Sequence, residues 1–116
     1  MKISTIKDLL DAKVLVCEEK LNKDVASAFG CDLMSDVLAY VKDQSVLLSG
    51  LVNPQVIRTA VMMDMVCIVF VRSKTPTEEM LELAKESGIV IMTTDKTMYT
   101  SCGLLYSNGL VGSSGV

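Results

Sequence analysis

Three uninterrupted apolar runs are spaced evenly along the later part of the chain. They are Val46–Leu48, Cys67–Val71 and Ile89–Met92, and their starts lie about 21 residues apart, the length that a short strand–helix–strand unit needs. Because none of them alternates with polar residues, each run predicts a parallel strand that is covered on both faces. A polar turn and a helical pattern follow each run. The sequence therefore predicts an α/β fold: a single layered domain with a mostly parallel sheet and βα repeats.

The chain before these runs predicts shorter elements with weaker patterns. Ser4 or Thr5 is expected to cap a first helix, because Ile6, Leu9 and Leu10 recur at helical spacing after them. The other expected elements are a strand at Lys13–Cys17, a loop at Glu18–Asp24, a weak strand at Val25–Phe29 and a helix at Leu33–Lys42. The pattern leaves open whether the first strand joins the sheet parallel or antiparallel.

Boundary residues mark the three later helices. Asn53 is a good N-cap and Pro54 suits the first helical position. Thr75-Pro76-Thr77-Glu78 matches a capping box in which Thr75 caps the helix and Pro76 begins it, and Gly88 ends it. A last helix is expected at Lys96–Tyr106. We expect one domain of residues 1–109, followed by a flexible C-terminal tail of residues 110–116.

The helix after Asn53 is apolar on nearly every side. A helix of this kind is buried on nearly every side, whereas one side of a helix in so small a domain normally faces water. We therefore expect a second subunit to cover it in a homodimer. The alternative is that the N-terminal segment of the same chain covers it. The residues predicted to form the dimer interface are Ile57, Val61, Met62, Met63 and Met65.

Charge and composition exclude several classes of function. The net charge is −3 and the pI is about 4.8, with Lys and Arg scattered, so neither nucleic acid nor an acidic membrane is an expected partner. Half of the residues are hydrophobic, yet no run approaches a membrane span and no signal peptide is evident. The four cysteines have no CxxC spacing and fit buried, reduced thiols in the cytoplasm.

Catalysis is not expected. The chain has no histidine, so neither a Ser-His nor a Cys-His pair can form. It contains no phosphate-binding loop and no GxGxxG fingerprint, and its carboxylates show no paired spacing. We expect no catalytic residue, no bound metal and no cofactor.

A ligand site is expected where the three parallel strands end. The turns that follow these strands should meet at one sheet edge, where helix N-termini and hydroxyl groups suit a phosphate or carboxylate. The cations Arg72, Lys74 and Lys96 lie near by in sequence. The ordinary alternative is that these polar residues only cap helices. The residues predicted to bind the ligand are Ser49, Gly50, Asn53, Arg58, Thr93, Thr94 and Thr97. For Arg58 the alternative is an ion pair with Asp64 or with a carboxylate of a partner subunit.

The segments SDVLAYVK, VLLSGLVNPQVIRTA, CIVFVRSKTPTEEMLELAKESGIVIMTT and TMYTSCGLLY resemble a DRTGG domain. The resemblance runs from about Val14 to Gly109, although the Asp-Arg-Thr-Gly-Gly string is absent and Ser49–Pro54 stands where the loop should lie. It implies a fold similar to the N-terminal domain of HPr kinase/phosphorylase, without the kinase domain.

The resemblance leads to three functional hypotheses. The first is a non-catalytic regulatory or adaptor domain that works as a homodimer and contacts other proteins. The second is a sensor that binds a nucleotide or another phosphorylated small molecule at the carboxyl ends of the strands. The third is a cysteine-bound metal or iron–sulfur protein, because some relatives of this kind are linked with hydrogenase systems.

Overall fold

Helices and strands alternate along the chain in the computed structural model, which describes residues 1–42 and 44–112. The strands are β1 (Lys13–Val16), β2 (Ser27–Gly30), β3 (Ser45–Ser49), β4 (Cys67–Phe70) and β5 (Val90–Thr93). The α-helices are α1 (Ile3–Leu10), α2 (Met34–Tyr40), α3 (Pro54–Met62), α4 (Glu78–Ser87) and α5 (Met98–Ser107), and a 3₁₀ helix covers Glu18–Lys20 within the predicted loop.

The strands form one sheet in the order β1-β5-β4-β3-β2. The pairs β2–β3, β3–β4 and β4–β5 are parallel, and β1 pairs antiparallel with β5. The predicted α/β fold with a mostly parallel sheet is therefore confirmed. The direction of the first strand, which the sequence pattern left open, is antiparallel.

The helices form two layers, one on each face of the sheet. Because β2 to β5 are neighbours in chain order, their right-handed connections place α2, α3 and α4 on the same face. One hydrophobic core lies between these helices and the sheet, and a second lies between the sheet and α1 with α5. Strand residues alternate between the two cores: Leu47 and Ile68 face the three-helix layer, whereas Leu48 and Val69 face the two-helix layer.

Helix α3 lies in the middle of the three-helix layer, and this position explains its apolar sequence. Its neighbours α2 and α4 flank it and the sheet covers its inner side. The chain itself buries Ile57 and Met65, both in the core. The alternative cover was the N-terminal segment of the chain, but its helix α1 packs on the opposite face of the sheet. Of the predicted dimer interface, Val61 and Met62 are exposed and Met63 is partly exposed.

Two helices begin at other residues than the sequence predicts. Ser4 and Thr5 lie inside α1, whose N-terminus is fixed instead by backbone hydrogen bonds from Ile3 N to Lys23 O (3.0 Å) and from Ser4 N to Leu21 O (2.9 Å). Helix α4 is capped by Thr77, whose hydroxyl accepts a hydrogen bond from Met80 N (3.3 Å). Thr75 and Pro76 therefore precede the helix.

The predicted tail starts at Leu110, which is buried. The carbonyl of Val111 accepts a hydrogen bond from Ala28 N (3.0 Å), and Gly112 forms an isolated parallel bridge with Ala28 on the edge of β2. Residues 113–116 lie outside the described residues, so the boundary at residue 109 stays a prediction. No helix among the described residues is long and apolar enough to cross a membrane.

Candidate functional site

The loop after β3 is closed by a carboxylate from the end of the neighbouring strand. Ser49 Oγ and Gly50 N both donate to Asp32 Oδ1, at 2.9 and 2.8 Å. Leu51 N in turn donates to Ser49 Oγ (3.2 Å). The Ser49 side chain is fully buried. Both predicted ligand-binding residues are therefore already hydrogen-bonded within the chain.

The other polar residues predicted at this edge also have partners within the chain. Asn53 Oδ1 accepts a hydrogen bond from Gln55 N (2.8 Å) and caps α3. Thr97 Oγ1 accepts from Thr100 N (3.4 Å) and caps α5. The hydroxyl of Thr93 donates to Lys74 O (2.8 Å), and that of the buried Thr94 donates to Leu10 O (2.7 Å). Asn53 and Thr97 therefore cap helices, whereas Thr93 and Thr94 join separate segments of the chain through backbone carbonyls.

The loops after β4 and β5 meet where the topology places a crevice. The β4 loop leads to α4 on one face and the β5 loop leads to α5 on the other, and ligands of α/β sheets usually bind at such a point. Here the loops are joined to each other. Arg72 N donates to Lys96 O (2.8 Å), Ser73 N donates to Thr94 O (2.9 Å) and Ser73 Oγ donates to Asp95 Oδ1 (2.6 Å). Hydrogen bonds therefore hold the two loops together at this point.

Arg72 is an exposed cation at this edge that was not among the predicted ligand-binding residues. Its backbone is left-handed, with φ of 56°, and Ser73 follows with φ of 59°. The guanidinium lies over Gly50, because a Cβ on that glycine would stand 2.5 Å from Arg72 Nη2. Within the part of the chain that the structure describes, this guanidinium makes no hydrogen bond or ion pair. It is therefore available to an anion. The sequence signal that could have indicated it is its position directly after the apolar run Cys67–Val71.

Arg58 lies elsewhere. It is exposed on α3 and lines a groove with Val61 of the same helix and with Leu83 and Ser87 of α4. Among the described residues the ion pair that forms is Lys2–Asp24, at 3.5 Å, so Arg58 is not paired with Asp64. The structure therefore separates Arg58 from the loops that hold Ser49, Gly50 and Thr94.

The four thiols are unpaired and do not converge. Cys17, Cys67 and Cys102 belong to the core under α1 and α5, whereas Cys31 packs against the opposite face of the sheet. Burial raises the pKa of the Cys67 thiol well above its ordinary value, and burial also raises the pKa of Cys17 and Cys102. No three Cys, Asp or Glu side chains among the described residues are placed to hold a metal ion. The geometry thus gives no support to a cysteine-bound metal.

Comparison with known proteins identifies relatives of the fold. The family model for the DRTGG domain matches residues 5–107 of the chain. A solved structure with the same fold comprises the CBS and DRTGG domains of the regulatory region of Clostridium perfringens pyrophosphatase, complexed with its activator diadenosine tetraphosphate. The two chains are 18% identical with a TM-score of 0.72, over 90% of this chain and 45% of the other. This chain thus spans less than half of that structure's length. No curated protein matches the chain.

Proposed function

Because the chain belongs to the DRTGG domain family, we propose that it is a non-catalytic regulatory or adaptor domain that works as a homodimer. The neighbouring structure with this fold comes from the regulatory region of an enzyme, which supports a regulatory role here. The four free thiols suit the reducing conditions of the cytoplasm, where we place the protein.

The observation that carries the homodimer is the exposed apolar end of α3. Val61 is 43% exposed and Met62 is 69% exposed, and Met63 beside them is partly exposed. Large apolar side chains that are adjacent at a surface favour contact with another protein. Methionine adapts its shape to such contacts. We define Val61, Met62 and Met63 as the α3 patch, and we place the contact between two copies of the chain there.

Light scattering after gel filtration tests this proposal. The wild-type chain should elute with twice its mass of 12.6 kDa at tens of micromolar protein. Met62→Glu should elute as a monomer, because the new carboxylate would be desolvated in an apolar contact. Tyr99→Glu is the matched control, since Tyr99 is 90% exposed on α5, on the opposite face of the sheet, and it should stay dimeric. A monomeric wild-type chain would contradict the proposal.

A second function, binding of a nucleotide or another phosphorylated small molecule, is favoured by Arg72. Its guanidinium lies over Gly50 at the carboxyl edge of the sheet, and guanidinium groups bind phosphate oxygens well. The neighbouring regulatory region binds a dinucleotide with four phosphates. We therefore place the ligand against Arg72, and Ser49, Gly50 and Thr94 shape the loops around it.

A thermal-shift screen with nucleotides and diadenosine tetraphosphate tests the sensor. A ligand at about 100 times its dissociation constant adds roughly 2.7 kcal/mol to the free energy of unfolding. Arg72→Gln should abolish this gain, whereas Arg58→Gln, which removes the same charge from the α3–α4 groove, should retain it. If no nucleotide stabilises the protein, or if Arg58→Gln alone abolishes the gain, the site is not at Arg72.

A further inference from the structure

A cleft lies at the opposite edge of the sheet, on the side where the parallel strands begin. This cleft has a volume of about 430 Å³, within the range of roughly 300–1,000 Å³ that is typical of small-molecule sites. It lies where the parallel strands begin: Gln44 precedes β3, Val66 precedes β4 and Ile89 precedes β5. It is therefore separate from the carboxyl edge that holds Arg72.

The rim of the cleft is held in a defined shape by its backbone. Gln44, Asp64 and Gly88 all have left-handed conformations, with φ of 57°, 52° and 73°. Gln44 N donates to Asp64 O (3.0 Å), which joins the turn before β3 to the turn after α3. Lys20 Nζ donates to Gly88 O (3.3 Å) and is thereby positioned at the end of α4. The cleft is thus formed by loops that are joined to one another.

The cleft carries charges of both signs. Lys20 and Lys23 line one part of it and Asp64 lines another. The side chains of Lys23 and Asp64 make no hydrogen bond or ion pair with any residue that the structure describes. The C-terminal end of α3 adds partial negative charge at Asp64, whereas the end of α4 at Gly88 is already bonded to Lys20. Two ammonium groups and a negative region therefore share one cleft.

Val61, Val66 and Ile89 supply apolar surface between these charges. From this arrangement we propose that the cleft binds a small zwitterion, of which an α-amino acid is the matching chemical class. Its carboxylate contacts the ammonium groups of Lys20 and Lys23. Its ammonium group contacts the carboxylate of Asp64 at the C-terminal end of α3. The cleft shares Val61 with the α3 patch, whereas the proposal does not rest on nucleotide binding.

The probes are the standard L-amino acids, added singly to the ¹⁵N-labelled full chain and followed by two-dimensional NMR. At least one should shift the amide signals of Gln44, Asp64 and Gly88. The N-acetylated form of that amino acid lacks the positive charge and its amide form lacks the negative charge. Both should bind about tenfold more weakly or worse, because each loses a hydrogen bond to a charged group.

Variants locate the site. Lys23→Met keeps most of an exposed side chain and removes its charge, and Asp64→Asn keeps a residue type that tolerates the left-handed backbone. Each should weaken binding about tenfold or more. Lys74→Met removes the same charge at the opposite edge and should leave binding unchanged.

Three results would each overturn the proposal. The first is that no amino acid shifts the signals of the cleft. The second is that the acetylated form binds as tightly as the parent amino acid, since the site would then recognise a simple anion. The third is that the shifts lie at Arg72 and its neighbours, or that Lys74→Met weakens binding as much as Lys23→Met does.

Discussion

Replacing Thr94 by valine separates a structural role from a ligand-binding role at the carboxyl edge. The sequence places Thr94 among the ligand residues. In the structure it is 2% exposed, and its hydroxyl donates to Leu10 O at 2.7 Å. The same oxygen accepts a hydrogen bond from Lys96 N at 3.3 Å. One hydroxyl thus joins the end of α1 to the loop before α5.

The expected loss of stability follows from these contacts. Valine keeps the shape of the side chain but removes the hydrogen-bond donor to the carbonyl of Leu10, a residue that is fully buried. Removing one partner of a buried hydrogen bond costs about 1–3 kcal/mol. For a domain of this size, a loss of about 2 kcal/mol lowers Tm by roughly 8 °C. The loss should occur without any ligand present.

Thermal and urea unfolding of Thr94→Val, without ligand, measure this loss. Thr93→Val is the matched control, because the Thr93 hydroxyl donates to Lys74 O at an exposed position, and it should lose less than about 1 kcal/mol. Thr94→Ser restores the donor and should recover most of the stability. If Thr94→Val is as stable as the wild type, or no less stable than Thr93→Val, the structural role assigned to this hydroxyl is wrong.

Three further predictions concern stability. Thr77→Ala should lower the free energy of unfolding by about 1 kcal/mol because it removes the cap of α4. Thr75→Ala, as the control, should change it by less than about 0.5 kcal/mol. If urea denaturation gave the reverse order, Thr75 would be the cap. Asp32→Ala should lower the free energy of unfolding by about 1 kcal/mol, because Ser49 Oγ and Gly50 N lose their shared acceptor. An unchanged midpoint of urea denaturation would contradict this prediction. Burial raises the pKa of Cys67, so the folded chain keeps this thiol protonated at a pH where the unfolded chain ionises it. Above about pH 8.5 the free energy of unfolding should therefore fall as pH rises, and Cys67→Ala should make this fall less steep by about 1.4 kcal/mol per pH unit. The same pH dependence in both proteins would be inconsistent with a buried, protonated thiol.

The repeating part of the fold could be predicted because its information is local. The apolar runs at Val46–Leu48, Cys67–Val71 and Ile89–Met92 lie within about one residue of β3, β4 and β5 at each end. The direction of β1 could not be predicted, since it depends on pairing with β5 far along the chain. The start of α1 depends likewise on backbone bonds to Leu21 and Lys23.

The apolar surface of α3 was correctly recognised, but its neighbours could not be identified from sequence. The sequence pattern indicates that nearly every side of the helix is apolar, but it does not show which of these sides are covered or by what. The strand order places α3 between α2 and α4, and these helices bury Ile57 and its neighbours within one chain. At the C-terminal end of α3, the side chains of the α3 patch remain at least partly exposed.

At the candidate site, too, the sequence could not show which distant residues come into contact. Ser49 has its partner 17 residues away, at Asp32, and Thr94 has its partner 84 residues away, at Leu10. No local pattern reveals that these hydroxyls are already hydrogen-bonded. Arg72, which is near the site in sequence, becomes notable only when its guanidinium is seen over Gly50. The similarity to the N-terminal domain of HPr kinase/phosphorylase stays a prediction.

The most direct test of the homodimer is an isotope-filtered NMR experiment on a mixture of labelled and unlabelled chains. It detects contacts only between different subunits. The account predicts intersubunit contacts from the methyl groups of Val61, Met62 and Met63, the α3 patch. A mixture that gives no intersubunit contacts, or contacts only from the exposed face of α5 at Tyr99 and Tyr106, would contradict it.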